Sequence, residues 1–72
     1  MKFEEASSKV KNKEVGGMRL PSWSPDVVIR CQFPDEHSKM THPYLYAESR
    51  FGCVPWNPTV PETWNDKWEV VE

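Results

Sequence analysis

Two cysteines and two histidines are the residues best suited to metal chemistry in this sequence: Cys31, His37, His42 and Cys53. Thiolate and imidazole are usual ligands of tetrahedral zinc. Structural zinc motifs contain cysteine or histidine pairs at short separation, however, and neither pair here has that spacing. The apolar alternation around Cys31 also places that thiol on the buried side of a strand. We therefore expect no metal site, but a small buried thiol and two exposed loop histidines.

Acid–base or nucleophilic catalysis is a second chemistry that cysteine, histidine and glutamate provide. No nucleophile in the chain stands in a recognisable elbow or beside a base in a known motif. A domain of 72 residues also offers no deep, rigid pocket within one subunit. We therefore expect a protein that is not an enzyme and that needs no cofactor.

Stacking against a flat ring is a third chemistry. Trp56, Trp64 and Trp68 fall within thirteen residues near the end of the chain, and the fourth tryptophan is Trp23. Tryptophan stabilises a core strongly and also offers a large surface to another ring. We expect Trp68 in the core, and Trp64 in the core or at a subunit contact. Trp23 and Trp56 lie next to loops, so core packing and ligand binding both remain open for them.

The charge of the chain limits which phosphorylated partners it can bind. A formal charge of −2 gives no general attraction to a long nucleic acid or to a membrane surface. A small phosphorylated nucleotide needs only a few local donors. Thr59 followed by Glu62 predicts a capping box at the start of a short helix. Free backbone N–H groups at such a helix start are of the kind that phosphates occupy.

Periodicity and capping residues predict two helices that position these groups. Phe3, Ala6 and Val10 fall on one face of an N-terminal helix, which Asn12 ends as a left-handed cap. The second helix begins at Thr59 and has one or two turns.

Five extended segments complete the predicted fold. The clearest spans residues 27–33, where alternate residues are apolar and point to one side. The others span residues 15–20, 43–48, 53–56 and 68–71. Residues 53–56 should pair antiparallel with residues 43–48 and lie at an edge, because Pro55 has no N–H to donate. The sequence therefore predicts an α+β fold in one domain of residues 1–72: a small twisted antiparallel sheet with an N-terminal helix and a short helix before the last strand.

The small size of the chain bears on its assembly. A lone core of 72 residues leaves little net stability, and oligomerisation is a usual remedy. We therefore expect a homo-oligomer, either a dimer or a tetramer. No secretory signal or membrane-spanning stretch is recognisable, so a cytosolic protein with reduced thiols is expected.

Five short segments follow one another in a distinctive order. They are MKFEEA at residues 1–6, RLPSW at 19–23, THPYL at 41–45, VPW at 54–56 and WEVV at 68–71. Thr59 and Glu62 lie between the last two segments. In this order and spacing the chain resembles the second Thoeris anti-defence family of phage proteins over nearly all of its length.

The resemblance implies a small homo-oligomeric α+β protein without catalytic activity. Members of this family bind the cyclic ADP-ribose isomers that bacterial TIR-domain enzymes make on infection, so that the downstream effector is never triggered. The resemblance therefore implies a sponge that holds a cyclic nucleotide in the host cytoplasm, in pockets between subunits. The alternatives are a sponge for cyclic di- or trinucleotides and a non-enzymatic nucleic-acid or protein interaction module.

Seven ligand-binding residues are expected from the resemblance and from side-chain chemistry. Trp23 and Trp56 match tryptophans of the family by position and are expected to stack against adenine or to close the pocket. The other five rest on chemistry: Arg19 and Arg30 as phosphate partners, Asn57 and Thr59 as hydrogen-bond donors, and Tyr44 as a pocket wall.

The chain also departs from the family pattern. It has Ser7 where members usually have leucine, an additional Gly16-Gly17 pair, Trp64 in place of leucine and Lys67 in place of aspartate. These differences bear on the packing of the N-terminal third and on the polarity of the pocket.

Overall fold

A five-stranded antiparallel sheet with a helix packed on one face forms the protein in the computed structural model, which describes all 72 residues. The helices are α1 (Phe3–Lys11) and α2 (Val60–Trp64), and the strands are β1 (Gly17–Arg19), β2 (Val28–Gln32), β3 (Tyr44–Ser49), β4 (Gly52–Pro55) and β5 (Glu69–Val71). The strand order in the sheet is β4-β3-β2-β1-β5. The predicted α+β fold is confirmed, including the short helix before the last strand. Neither helix has the length and apolar character that crossing a bilayer requires.

The segment between β4 and β5 crosses from one edge of the sheet to the other. β4 pairs with β3 at one edge, as predicted, whereas β5 pairs with β1 at the opposite edge. The crossing segment is tied to the N-terminus, since the N–H of Trp68 donates to Met1 O at 3.0 Å and the Met1 amine donates to Trp68 O at 2.8 Å. Trp56 and Trp68 therefore lie on the same side of the sheet as α1.

The core lies between α1 and the sheet. Its buried residues are Ala6, Val10, Met18, Leu20, Ile29 and Trp68. Ala6 and Val10 come from the face of α1 that the periodicity predicts. Ile29 is buried on the inner face of β2, and Cys31 packs against the same core, as the alternation at residues 27–33 predicts.

Lys13, not Asn12, adopts the left-handed conformation that ends α1. Asn12 has a φ of −89°, whereas Lys13 has a φ of 62°. The N–H of Glu14 donates to Lys9 O at 2.9 Å, which is the long-range bond of a Schellman motif. The predicted cap at Asn12 is thus wrong by one residue, because the backbone reverses one position later. The Lys13 ammonium lies 4.5 Å from the centre of the Phe33 ring, a contact that stabilises this conformation.

Gly17 lies where a side chain would not fit. A Cβ atom at this position would stand 2.5 Å from Val28 Cγ1 and 3.0 Å from Ile29 O. The pairing that sets Met18 opposite Ile29 brings the two backbones together here. Gly17, the second glycine of the pair that departs from the family pattern, therefore permits the close approach of β1 and β2.

Trp64 is exposed, in contrast to the other tryptophans. Its exposed fraction is 84 %, whereas that of Trp68 is 2 %. α2 has five residues and none of them is buried, because Trp68 fills the space beside this short helix. The expected core position is confirmed for Trp68 and wrong for Trp64. A subunit contact at Trp64 stays a prediction.

Candidate functional site

Four aromatic rings from separate parts of the chain pack into one cluster: Phe3, Trp23, Trp56 and Trp68. Trp68 contacts Trp23 at a ring distance of 5.3 Å and Phe3 at 5.5 Å, both edge-on. Trp56 lies 6.2 Å from Trp68 and 6.4 Å from Trp23. Edge-to-face pairs at such distances are favourable beyond their buried area. Neighbouring rings therefore support Trp56 from within the fold.

A cleft of about 710 Å³ opens beside Trp56. Its walls come from α1, from the loop before β3 and from the segment that follows β4. Small-molecule sites in proteins typically have volumes of about 300–1,000 Å³. Three of the seven predicted binding residues line this cleft: Tyr44, Trp56 and Asn57.

The β3–β4 pairing holds the main chain of Trp56 at the cleft. Pro55 lies opposite Tyr46 in the register of the two strands. The N–H of Trp56 then donates to Leu45 O at 3.1 Å, which extends the pairing one residue beyond β4. β4 is an edge strand, so the missing N–H of Pro55 interrupts no further pairing, as predicted. The backbone of Trp56 is therefore fixed where the strand ends and the crossing segment begins.

Basic side chains line the cleft, and carboxylates do not. Lys11 from α1 and His42 from the loop before β3 are among its lining residues, none of which is aspartate or glutamate. The whole chain has 11 acidic and 9 basic residues, so this local balance differs from that of the molecule. The cleft thus combines an aromatic wall with groups that favour an anion.

Arg19 lies outside the cleft and supports the loop that contains Trp23. Its Nη2 donates to Trp23 O at 2.9 Å and to Ser24 O at 3.3 Å, and its Nη1 lies 3.5 Å from Glu69 Oε1. Trp23 is half-buried behind Trp56 and does not line the cleft. The geometry gives Arg19 a positioning role, and its predicted contact with a phosphate has no support in the position of the side chain.

Arg30 lies on the face of the sheet opposite α1, since the neighbouring Ile29 points into the core. Its Nε lies 3.2 Å from Glu48 Oε1, and its Nη1 donates to Gly16 O at 2.8 Å. The guanidinium is therefore occupied within the fold. The structure does not bring Arg30 to the cleft with Trp56.

Thr59 forms the predicted capping box with Glu62. Its Oγ1 accepts from the N–H of Glu62 at 3.4 Å, and its own N–H donates to Glu62 Oε1 at 2.8 Å. The box occupies backbone donors that the sequence assigns to a phosphate, and Pro61 has no N–H to add. Thr59 does not line the cleft, although Asn57 and Pro58, which precede it, do.

A sequence match over almost the whole chain identifies its family. The family described as the Thoeris anti-defense 2-like domain matches residues 1–71. The protein belongs to this family. The match includes every helix and strand from α1 to β5, and the suspected family is confirmed. No curated protein is similar enough to the chain to count as a match. Membership of the family supports an anti-defence role against the Thoeris system.

The two basic residues of the cleft in this Thoeris anti-defense 2-like domain, Lys11 and His42, are not among the seven predicted binding residues. His42 stands two positions before Tyr44 in the THPYL segment, so the sequence itself could have placed His42 near the predicted pocket wall. Lys11 follows Phe3 by eight residues, about two turns of α1. Its place in the cleft depends on the packing of α1 beside the loop before β3, which the sequence does not show.

Burial raises the pKa of two side chains on neighbouring strands of this domain. Desolvation raises the pKa of the Cys31 thiol, and the charges of Lys11 and Lys13 partly oppose that effect. Desolvation is also the main cause of the raised pKa of Tyr46, and the charge of Glu48 adds to it. A thiol with a raised pKa is a poor nucleophile, because the thiolate is the reactive form. Cys31 is therefore suited to packing.

Proposed function

We propose that this protein binds and sequesters a cyclic nucleotide immune signal, a cyclic ADP-ribose isomer made by TIR-domain enzymes, without degrading it. It does so in the cytoplasm of the infected host cell. The observation that carries the proposal is the cleft beside Trp56, which offers a stacking ring, polar groups and positive charge. Membership of the Thoeris anti-defense 2-like family supports the same role.

Trp56 supplies the surface on which the adenine base stacks. Trp23 and Trp68 support its ring edge-on, at 6.4 and 6.2 Å. A side chain that is already immobile loses little freedom when a ligand binds, so less of the interaction energy is offset. Stacking of a base on an aromatic ring contributes about 1–3 kcal/mol. Trp56 is therefore the residue whose removal should weaken binding most.

Sequestration requires that the ligand leaves the cleft unchanged. No cysteine, serine, aspartate or glutamate lines the cleft, and the hydroxyl groups of Thr41 and Tyr44 have no carboxylate beside them there to act as a base. Carboxylates and activated hydroxyl or thiol groups are the side chains that most often cleave glycosidic and acyl bonds. The composition of the cleft thus supports binding without hydrolysis.

A second subunit completes the enclosure of the ligand in this proposal. Met40 and Tyr44, at the cleft, are 60 % and 37 % exposed. Sites that hold small molecules tightly bury about 70–90 % of the ligand surface. We therefore include a homo-oligomer, a dimer or a tetramer, in which a neighbouring subunit covers the open side of the cleft.

Native mass spectrometry tests the proposal. The protein is incubated with a panel of cyclic ADP-ribose isomers and cyclic di- and trinucleotides, and the mass of the complex reports ligand and subunit number together. Trp56→Ala is expected to weaken binding by about tenfold or more. Phe51→Ala is the matched control, since it removes an exposed aromatic ring outside the cleft. Heating the complex should release intact ligand.

Each alternative gives a different result when single-stranded DNA is added to the panel and binding is measured at several salt concentrations. Release of cleaved products after heating would show that the protein is an enzyme and would exclude sequestration of the intact ligand. Binding of a cyclic di- or trinucleotide, but of no cyclic ADP-ribose isomer, would retain sequestration and change the ligand. Salt-dependent binding of single-stranded DNA without binding of any cyclic nucleotide would indicate an interaction module.

A further inference from the structure

All three arginines of the chain are paired with carboxylates of its own fold. The partners are Glu69 for Arg19, Glu48 for Arg30 and Asp26 for Arg50, at nitrogen–oxygen distances of 3.5, 3.2 and 3.9 Å. None of these arginines lines the cleft beside Trp56. Within one subunit, the positive charge that an anionic ligand meets in the cleft therefore comes from other residues.

The lysines, by contrast, form no ion pair with a carboxylate. Lys11 is the one lysine that lines the cleft, where it lies in the last turn of α1. His42 lines the same cleft from the loop before β3 and also has no carboxylate partner. These two side chains are exposed, so both have donors free for a ligand.

We propose that Lys11 and His42 form the anion-binding end of the cleft, which holds the phosphate groups of a nucleotide whose base stacks on Trp56. The inference rests on the function proposed above and assigns the residues that bind the phosphate groups of its ligand. The base lies towards Trp56 and Asn57, and the phosphates lie towards Lys11 and His42.

The surroundings of the cleft favour this arrangement. Phe3, Pro43 and Leu45 contribute apolar surface, which strengthens the attraction between an ammonium and a phosphate once a bound ligand and a neighbouring subunit exclude water. No carboxylate in the cleft competes for Lys11. An ammonium is a compact point charge with three donors, and bonds between charged groups are about twice as strong as neutral ones.

Calorimetric titration of four variants tests the inference: Lys11→Gln, His42→Gln, the double variant and Lys67→Gln. Lys67, which the family pattern relates to the polarity of the pocket, is an exposed lysine outside the cleft and therefore serves as the control. The probes are adenosine, which has no phosphate, and the phosphorylated nucleotide of the panel that the wild-type protein binds most tightly. Lys11→Gln is expected to lower the affinity for the phosphorylated probe by about tenfold, since it removes a charged hydrogen bond.

Three further results are expected. The double variant has a lower affinity for the phosphorylated probe than either single variant, and this affinity depends less on salt than that of the wild-type protein. Adenosine binds all four variants within about twofold of wild type, because its contacts are to Trp56. Lys67→Gln binds both probes as the wild-type protein does.

The outcomes separate this inference from the proposed function. Wild-type affinity and salt dependence in the double variant, together with loss of binding in Trp56→Ala, would place the anion-binding end elsewhere and leave the function intact. An equal loss of affinity for adenosine and for the phosphorylated probe in Lys11→Gln would also overturn the inference. It would show that Lys11 maintains the shape of the cleft and does not bind a phosphate. Failure of the wild-type protein to bind any phosphorylated probe would overturn both.

Discussion

The guanidinium of Arg19 holds the backbone of Trp23 through a hydrogen bond of 2.9 Å from Nη2 to the Trp23 carbonyl. The ring of Trp23 in turn stands edge-on to Trp56, with a centroid distance of 6.4 Å and an interplanar angle of 77°. Arg19 on β1 thus helps to position Trp56 in the wall of the cleft, through the ring of Trp23. Arg19 lies in the RLPSW segment of the family pattern, and this contact gives that segment a physical role.

Arg19→Gln is expected to loosen Trp23 and weaken ligand binding by several-fold. The change removes a charged donor to a carbonyl, which is worth about 1.5–3 kcal/mol of folding free energy. The exciton signal of the cluster that Trp23 forms with Trp56 and Trp68 should decrease in far-ultraviolet circular dichroism, and Arg19→Lys should restore part of it. Glu69→Gln is the control, because it removes the ion pair at 3.5 Å and keeps both carbonyl bonds. An unchanged exciton signal in Arg19→Gln would show that the loop does not depend on Arg19.

Trp68 and Trp64 should respond in opposite ways to substitution. Trp68 is buried and its Nε1 donates to Glu62 O at 2.9 Å, so Trp68→Phe removes that bond, leaves the carbonyl with the Asn65 N–H at 3.3 Å as its one donor, and opens space in the core. The expected loss is about 1–3 kcal/mol in the free energy of unfolding by urea. Trp64→Ala should change the free energy of unfolding by less than about 0.5 kcal/mol, because the ring is exposed. A large loss for Trp64→Ala that grows with protein concentration would instead show that Trp64 lies in a subunit contact.

The capping box at Thr59 should stabilise the crossing segment measurably. Thr59→Ala removes the hydroxyl that accepts from Glu62 N, and such changes cost about 0.5–2 kcal/mol. Thr63→Ala is the matched control: the Thr63 hydroxyl donates to Val60 O within α2 and caps no helix start. Thermal unfolding should show a lower midpoint for Thr59→Ala than for Thr63→Ala. Equal midpoints would mean that losing the Thr59 hydroxyl costs no more stability than losing the Thr63 hydroxyl. The capping box would then make no specific contribution.

The parts of this fold that the sequence predicts are the parts that neighbouring residues determine. The box between Thr59 and Glu62 spans three residues, and the buried face of α1 follows from the spacing of Ala6 and Val10. The β3–β4 pairing is equally local, since a short turn joins the two strands. Each of these predictions is confirmed because the interaction that decides it lies within one turn or one hairpin.

The remaining parts depend on contacts between distant segments. The sequence predicts that Arg19 binds a phosphate. In the fold, however, Glu69, fifty residues later, lies beside Arg19 because β5 pairs with β1. The sequence predicts Trp64 in the core or at a subunit contact, and within one subunit its ring is exposed while Trp68 lies in the core. Lys11 enters the cleft only when α1 packs next to the loop before β3. A periodicity reports which face of an element is apolar, and it does not report which segment lies opposite.

Asp26 should make the stability of the β3–β4 turn depend on pH. Its Oδ2 accepts from the N–H of Arg50 at 3.2 Å, and this bond is the main reason why the pKa of Asp26 is lowered from 3.8. A carboxyl whose pKa is lower in the folded state stabilises the fold fully above its unfolded value, and the contribution is lost as the pH falls through the folded value. Asp26→Asn should therefore have a lower thermal midpoint than wild type at neutral pH, and the difference should narrow below pH 3.8.

Arg50→Ala separates the two contributions of Arg50 to this effect. It removes the guanidinium, whose Nε lies 3.9 Å from Asp26 Oδ2, and keeps the backbone N–H. Since the backbone bond is the largest cause of the lowered pKa, Arg50→Ala should retain most of the pH dependence that Asp26→Asn removes. Thermal unfolding of the three proteins across the acidic range measures this. A difference between wild type and Asp26→Asn that stays constant far below pH 3.8 would contradict the assignment, because a protonated Asp26 no longer offers a charged acceptor to Arg50.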